Sequence, residues 1–312
     1  MPDATQLPIT VISLDPAPTG FALAIHGGAG GQIQELSLVE RGNYSAGLAD
    51  AYLVGEAILE AGGSALDAVC ASVESLEDNP LFNAGFGAAL TATGEAELDA
   101  AVMTGAGRAG AIAVSRHVKN PIGAARKVME DTEHVLLVSP SKGLIESWGL
   151  ETVEPNYFVT QARLSQLRNV QSELMAASRH GTVGAVAVDS RGHVAAATST
   201  GGMVNQSEGR VGDTPVIGAG NYARDGVVAV SCTGEGESFI EGVVAHEISA
   251  RIRYLGATVA DAVSGTIADE LGSRGANGGI IAVDPSGRVV VAYNSDAMFA
   301  AYRHDGELVT LT

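Results

Sequence analysis

Cysteine is nearly absent from this 312-residue sequence: only Cys70 and Cys232 occur, each inside an apolar run. Two isolated thiols read as small buried hydrophobes, not as a disulfide framework or a metal cage. Basic residues are scarce, 18 Lys and Arg against 36 Asp and Glu, giving a formal charge of −18. Nucleic acid and anionic membranes both demand clustered Lys and Arg, so this balance argues against either as a partner. It leaves a small zwitterionic substrate open. Long hydrophobic runs are missing too, with nothing near the roughly 20 apolar residues of a membrane helix. The longest apolar run near the amino terminus, Ile9 to Leu14, is short for a signal-peptide core and follows no basic segment, so the expected location is the cytoplasm.

What is present is the composition of a folded protein, 46% hydrophobic and 17% charged, with length for one large domain or two ordinary ones. The 40 glycines point to many tight turns. Residues 1–20 read as a loose lead-in ending in Pro and Gly. Phe21 to His26 reads as a buried strand that opens into the Gly27-Gly-Ala-Gly-Gly31 loop. From Ser64 to Asp78, residues Leu66, Val69, Cys70, Val73 and Leu76 share one helical face, and Ser64 with Asp67 resembles a capping box. Further helices are expected over Pro121–Asp131 and Ser141–Gly149, with a strand at Val135–Val138 between them. The polar, poorly periodic stretch from about Glu154 to Arg179 reads as a mobile linker. Beyond it, Gly184–Asp189, Val194–Ser199 and Val227–Cys232 read as strands, and a long helix is marked by Ile240, Val243, Val244, Ile248, Ile252 and Leu255. Another helix covers Thr258–Leu271, and Gly279–Asp284 with Arg288–Tyr293 closes the chain as a hairpin. Gly184-Ala-Val-Ala-Val-Asp189 echoes Gly279-Ile-Ile-Ala-Val-Asp284, each with a Gly three residues after its Asp. Strands cluster and helices cluster in both halves, which favours stacked sheets between helix layers, an α+β sandwich, over a doubly wound fold.

The chemistry centres on His180-Gly-Thr-Val-Gly184, where the linker meets a strand. A threonine hydroxyl is a poor nucleophile without a base. Breaking the Gly181–Thr182 bond would give Thr182 a free α-amine with a pKa of about 8, able to act as that base. Gly181, lacking Cβ, tolerates the conformation that brings the hydroxyl to its own carbonyl. Taken alone, Gly-Thr before a strand is an ordinary turn. Likewise Arg210 with Asp213 would be a surface ion pair, Thr200 a strand end and Thr233-Gly a turn.

The company of motifs resolves this. Ala197-Thr-Ser-Thr-Gly-Gly202, Gly209-Arg-Val-Gly-Asp-Thr-Pro215 and Ser231-Cys-Thr-Gly-Glu-Gly-Glu237 follow Thr182 in order. His26-Gly-Gly-Ala-Gly30, Pro80-Leu-Phe-Asn-Ala-Gly-Phe-Gly87, Glu97-Leu-Asp-Ala100, Met103-Thr-Gly105 and Tyr157-Phe-Val-Thr160 precede it. From Phe21 to the C-terminus the sequence resembles the plant-type (type III) asparaginases and isoaspartyl peptidases, N-terminal-nucleophile hydrolases. The resemblance implies an αββα sandwich made from one precursor, with an α subunit of residues 1–181 and a β subunit of 182–312, paired as an (αβ)2 assembly. It implies Thr182 as nucleophile, Thr200 as the hydroxyl bonded to it, and Thr233 with the Gly234 amide as oxyanion donors. Arg210 would clamp a substrate α-carboxylate, helped by Gly236, and Asp213 would hold the α-ammonium. A structural sodium ion would bind main-chain oxygens of Leu76, Glu77, Asn79, Phe82, Ala84 and Phe86, although an ordinary Asn-Pro turn needs no metal. No catalytic cofactor is implied. Asn83 is expected near the site, and His180 is left as linker.

The implied reaction is hydrolysis of asparagine and β-aspartyl dipeptides through a β-aspartyl ester on Thr182. A glycosylasparaginase shares the nucleophile, but that branch, like the proteolytic relatives, usually carries Asp where this chain has Gly181. An uncleaved, inactive binding protein is the rival of another class, and the complete Thr182, Thr200, Arg210, Asp213 and Thr233 set argues against it. One departure stands out: the family's Asn-Thr-x-Gly-Met-like last turn reads Asn294-Ser-Asp-Ala-Met298 here.

Overall fold

The computed structural model describes residues 8–16, 19–30, 36–172 and 181–312. Up to residue 172 these form strands β1 (Thr10–Leu14) and β2 (Ala22–Ala29), helices α1 (Leu38–Glu60) and α2 (Ala65–Glu77), and strands β3 (Leu98–Thr104) and β4 (Ala109–Ser115). Helix α3 (Pro121–Asp131), strand β5 (Leu136–Val138) and helices α4 (Lys142–Ser147) and α5 (Gln161–Gln171) complete this half. From Thr182 the chain runs through β6 (Val183–Val188), β7 (Val194–Thr200), β8 (Asn221–Arg224) and β9 (Val228–Gly234). Helices α6 (Gly236–Gly242), α7 (Val244–Leu255) and α8 (Val259–Thr266) follow, then β10 (Gly278–Val283), β11 (Val289–Tyr293), β12 (Met298–His304) and β13 (Glu307–Leu311).

The strands form two sheets, ordered β1-β11-β10-β9-β8 and β13-β12-β2-β6-β7-β3-β4-β5. Among the described residues every pairing of these strands is antiparallel except β4 with β5. Alternation along the strands builds the layers. On β6, Val183, Ala185 and Ala187 face the core shared with α1, α2 and α3, while Val186 and Val188 face the other sheet. Helices α7 and α8 cover the outer side of the five-stranded sheet. This is the αββα sandwich. Strands from both sides of Thr182 enter both sheets, β1 joining the five-stranded one and β6, β7, β12 and β13 the other, so the two halves form one interleaved unit.

Several elements follow the sequence closely. Helix α2 begins after Ser64, whose hydroxyl accepts from the Asp67 N–H at 3.1 Å and donates to the Asp67 carboxylate at 2.6 Å. The echoed hairpins are β6–β7 and β10–β11, one in each sheet. Their Asp residues do the same work. Asp189 Oδ1 accepts from the Arg191 and His193 N–H groups, and Asp284 Oδ1 from those of Ser286 and Arg288.

Other elements depart from expectation. The lead-in contains an edge strand, β1, paired with β11. Strand β2 continues through Gly27 and Gly28 to Ala29 instead of opening into a loop at Gly27. The linker region contains a short 3-10 turn (Pro155–Phe158) and helix α5, capped by Thr160. Only Leu167 of α5 is buried, so the helix leaves no periodic apolar stripe in the sequence; residues 173–180, the end of the expected linker, lie outside the described residues. The single long helix expected after Ile240 is two, broken at Val243, which adopts a left-handed conformation with φ 47°. The chain closes with β12–β13, one hairpin later than expected.

Candidate active site

Topology brings the ends of four strands together. β6 starts at Val183, directly after Thr182, and β7 ends at Thr200 beside it. β2 flanks β6 on its other side, and β9 ends at Thr233 and Gly234 in the facing sheet.

Thr182 is 7% exposed, and its hydroxyl donates to Thr200 Oγ1 at 3.2 Å. Thr200 Oγ1 also accepts from the Gly202 N–H at 3.0 Å, so its own proton goes to the Gly181 carbonyl, 3.1 Å away. The same carbonyl accepts from Asn83 Nδ2 at 2.6 Å. Asn83 is itself fixed, giving a hydrogen bond to the Gly202 carbonyl at 2.7 Å and taking one from the Ala89 N–H at 2.6 Å. The Gly181 carbonyl therefore sits under two donors while the neighbouring hydroxyl is held alongside. That is the arrangement an acyl transfer needs. Close approach also explains two glycines. A Cβ on Gly181 would lie 2.8 Å from Asn83 Cβ, and one on Gly28, at φ 120°, would lie 3.1 Å from Gly181 Cα.

His26, to which sequence reasoning assigned no role, is also part of this site. Its Nδ1 lies 2.9 Å from the Thr182 carbonyl, which only accepts, so Nδ1 carries the proton and donates. Nε2 then accepts from Ser231 Oγ at 2.9 Å. Ser231 Oγ accepts a hydrogen bond from Thr198 Oγ1 at 2.7 Å, and Asn221 Nδ2 donates to Thr198 at 2.9 Å. One direction of donation thus runs from Asn221 to the backbone of Thr182. Burial drives the His26 pKa down to about 3, only partly opposed by the bond to Thr182, so the ring is neutral and stays a fixed strut.

Arg210, Asp213 and Gly236 form a second cluster. The guanidinium grips Glu237 side-on, Nε to Oε1 at 3.0 Å and Nη2 to Oε2 at 2.9 Å. A Cβ on Gly236 would lie 2.9 Å from both Arg210 Nη2 and Asp213 Oδ1, so a side chain at this helix start would crowd both groups. Asp213 is 4% exposed and its Oδ2 has no hydrogen-bond partner in the structure. Burial pushes its carboxyl up to about 7, against the pull of nearby backbone N–H groups and the Arg210 charge. An orphaned buried acceptor of this kind suits an incoming cation. Thr233 is fully buried and accepts from the Ala29 N–H at 3.3 Å; Gly234 follows at φ 154°. Behind Gly234, the departing last turn is well braced. Asn294 takes a hydrogen bond from the Gly278 N–H and gives one to the Ala276 carbonyl, both at 2.9 Å.

In the 76–86 loop, a Cβ on Gly85 would meet the Glu77 carbonyl oxygen and one on Gly87 the Phe82 oxygen, so bare glycines face these carbonyls. The Leu76, Asn79, Phe82 and Ala84 carbonyls each accept a backbone N–H. Each keeps a second lone pair, so the loop is compatible with a cation without demanding one. No cluster of three or more His, Cys, Asp or Glu side chains suited to a metal ion occurs among the described residues. No helix of the described residues is long and apolar enough to cross a membrane. His180 lies outside the described residues.

Comparison with known proteins places these features in context. The family model described as asparaginase matches residues 19–311. An isoaspartyl peptidase of Salmonella typhimurium is 44% identical over 302 residues, covering 92% of this chain and 96% of its own. The isoaspartyl peptidase of Escherichia coli is 42% identical over 302 residues, with 92% and 94% covered. A Homo sapiens protein named isoaspartyl peptidase/L-asparaginase is 39% identical over 293 residues, again with 92% and 94% covered.

Proposed function

The chain belongs to the asparaginase family of amidohydrolases, and we propose that it is a precursor that cuts itself before Thr182 and then hydrolyses asparagine and β-aspartyl dipeptides. The observation that carries this reading is the Gly181 carbonyl held by Asn83 and Thr200 beside the Thr182 hydroxyl. In the precursor, Thr182 Oγ attacks the Gly181 carbonyl carbon, and Asn83 with Thr200 stabilises the oxyanion. The C–N bond breaks, the nitrogen takes a proton, and the acyl group moves to oxygen. Water then hydrolyses this ester, leaving residues 1–181 with a new carboxylate and residues 182–312 with a free α-amine.

That amine is the base of the mature enzyme. It takes the Thr182 hydroxyl proton as Oγ attacks the β-carbonyl of the substrate. Thr233 and the Gly234 N–H would stabilise the tetrahedral oxyanion. Ammonia or an amino acid leaves with a proton, and water releases aspartate from the β-aspartyl ester. Arg210 would meet the α-carboxylate, since its hydrogen bonds within the described residues use Nε and Nη2 and leave Nη1 for the substrate. Asp213 would take the α-ammonium, which the unpartnered Oδ2 supports. Gly236 keeps the approach open.

We also assign the 76–86 loop a sodium ion on the main-chain oxygens of Leu76, Glu77, Asn79, Phe82, Ala84 and Phe86, which would stiffen the segment carrying Asn83. Two αβ units pair into an (αβ)2 assembly on this reading. The free thiols of Cys70 and Cys232 suit the cytoplasm. The activity is tested by measuring aspartate release from asparagine and from a β-aspartyl dipeptide. The wild-type protein releases it from both and Thr182→Ala from neither; equal activity in the variant would contradict the assignment.

A further inference from the structure

The Glu97-Leu-Asp-Ala100 motif takes no part in the chemistry above, yet both its acidic side chains are buried against the loop that carries Arg210. The Glu97 side chain is 1% exposed. Its Oε1 accepts from Arg116 Nη2 at 2.6 Å and its Oε2 from the Gly209 N–H at 2.8 Å. Arg116 also approaches Glu208 at 3.9 Å, so the residue before Gly209 leans on the same cation. Asp99, two residues on, accepts from the Val114 N–H at 2.9 Å and from the Gly212 N–H, and lies close enough to Arg210 to feel its charge. Gly209 and Gly212 bracket Arg210. Each gives its N–H to one carboxylate of the motif.

We propose that Glu97 is a positioning residue for substrate binding, fixing the Gly209–Gly212 loop so that Arg210 presents its guanidinium to an α-carboxylate. This rests on Arg210 being the clamp. A carboxylate can serve Arg116 and Gly209 together because it only accepts. A glutamine cannot, since its amide nitrogen would face one of these two donors with another donor. The loop would then shift or leave a buried N–H unpaired. A two-point contact between guanidinium and carboxylate depends on orientation, so the damage falls on binding. Thr182, Thr200 and Asn83 make no contact with Glu97 within the described hydrogen bonds, so self-cleavage is spared.

The test is steady-state kinetics on asparagine with Glu97→Gln, Arg210→Ala and the double variant, with precursor cleavage followed on gels. Glu97→Gln raises KM about tenfold, leaves kcat within about threefold, and matures at the wild-type rate. In the Arg210→Ala background it adds no further loss. A fall in kcat with unchanged KM, slowed maturation, or a full additional loss in the double variant would each show a general structural role and overturn the proposal. If Glu97→Gln does not fold, Arg116→Gln, changed at a residue about one-third exposed, is the second probe, with KM up about threefold expected and an unchanged KM contradicting. Arg210→Ala alone separates the two readings. If its KM is unchanged the clamp assignment fails. If its KM rises while that of Glu97→Gln does not, only the role of Glu97 fails.

Discussion

Two regions of the site are built from opposite materials. Around Thr182 every contact among the described residues is neutral: hydroxyls, an amide, a carbonyl and an imidazole that burial keeps uncharged. Around Arg210 the contacts are ionic, with Glu237 on the guanidinium and Asp213 and Asp99 close by, both carboxyls pushed up to about 7 mainly by burial. In the uncut chain the neutral region can hold one geometry at any working pH. The ionic region changes its charge as the pH crosses neutrality, so on the proposed reading geometry governs self-cleavage at one end and protonation governs substrate capture at the other.

The comparison breaks most visibly at Asn83. Removing one of two donors from the Gly181 carbonyl with Asn83→Ala should slow self-cleavage about 10²–10³-fold, the usual cost of one oxyanion donor. Timed gel analysis of the precursor would show it, and cleavage at the wild-type rate would mean that Asn83 only braces the loop. At the ionic end, Arg210→Lys keeps the charge and loses the planar fork. It should lower kcat/KM on asparagine about tenfold to a hundredfold while leaving maturation intact. Maturation lost together with binding would show that the two regions are not separable.

The pH profile sharpens the contrast. Asp213 must be ionised to hold an ammonium, so kcat/KM should fall as the pH drops through about 7. The α-amine of Thr182 must be neutral and contributes a rising limb of the same sense, at or below about 8. In Asp213→Asn the first limb should vanish and the second persist, although at reduced activity. A profile unchanged in shape would remove Asp213 from the account.

The legibility of each region in the sequence follows from the same contrast. The start of β6 after a Gly-Thr step was legible from its short apolar run, and α2 because its buried residues share one face, whereas Thr182 was singled out only by the motifs that accompany it. The strut through His26 was not legible. Its partners Thr182 and Ser231 lie 156 and 205 positions away, and Ser231 and Thr198 resemble any strand residue until the two sheets face each other. Arg210 and Asp213 could be given roles only by resemblance, since in isolation they form an ordinary pair of charges. Helix α5 was invisible because it buries so little, and the break at Val243 because the residue that turns left-handed is a β-branched valine, with Gly242 before it inside an otherwise helical apolar spacing.

The smallest effect expected is at Glu77, which lies behind the neutral region. Its Oε1 accepts from Ser199 Oγ at 2.6 Å and from the Ile122 N–H at 2.9 Å, and burial raises its carboxyl to about 8. The folded protein thus holds a proton that the unfolded chain loses above its ordinary pKa of 4.5, so stability declines as pH rises from there to about 8. Glu77→Gln imitates the protonated form. It should flatten part of that decline, narrowing the Tm difference between acid and neutral pH by roughly a few degrees. A difference as large as in the wild type would show that Glu77 is ionised in the fold.

The most direct test of the central claim is the intact mass and N-terminal sequence of the purified protein. Two chains are expected, the second beginning Thr182-Val-Gly184, and a single uncut chain for Thr182→Ala. A new N-terminus at any other residue, or an active protein that remains one chain, would contradict it.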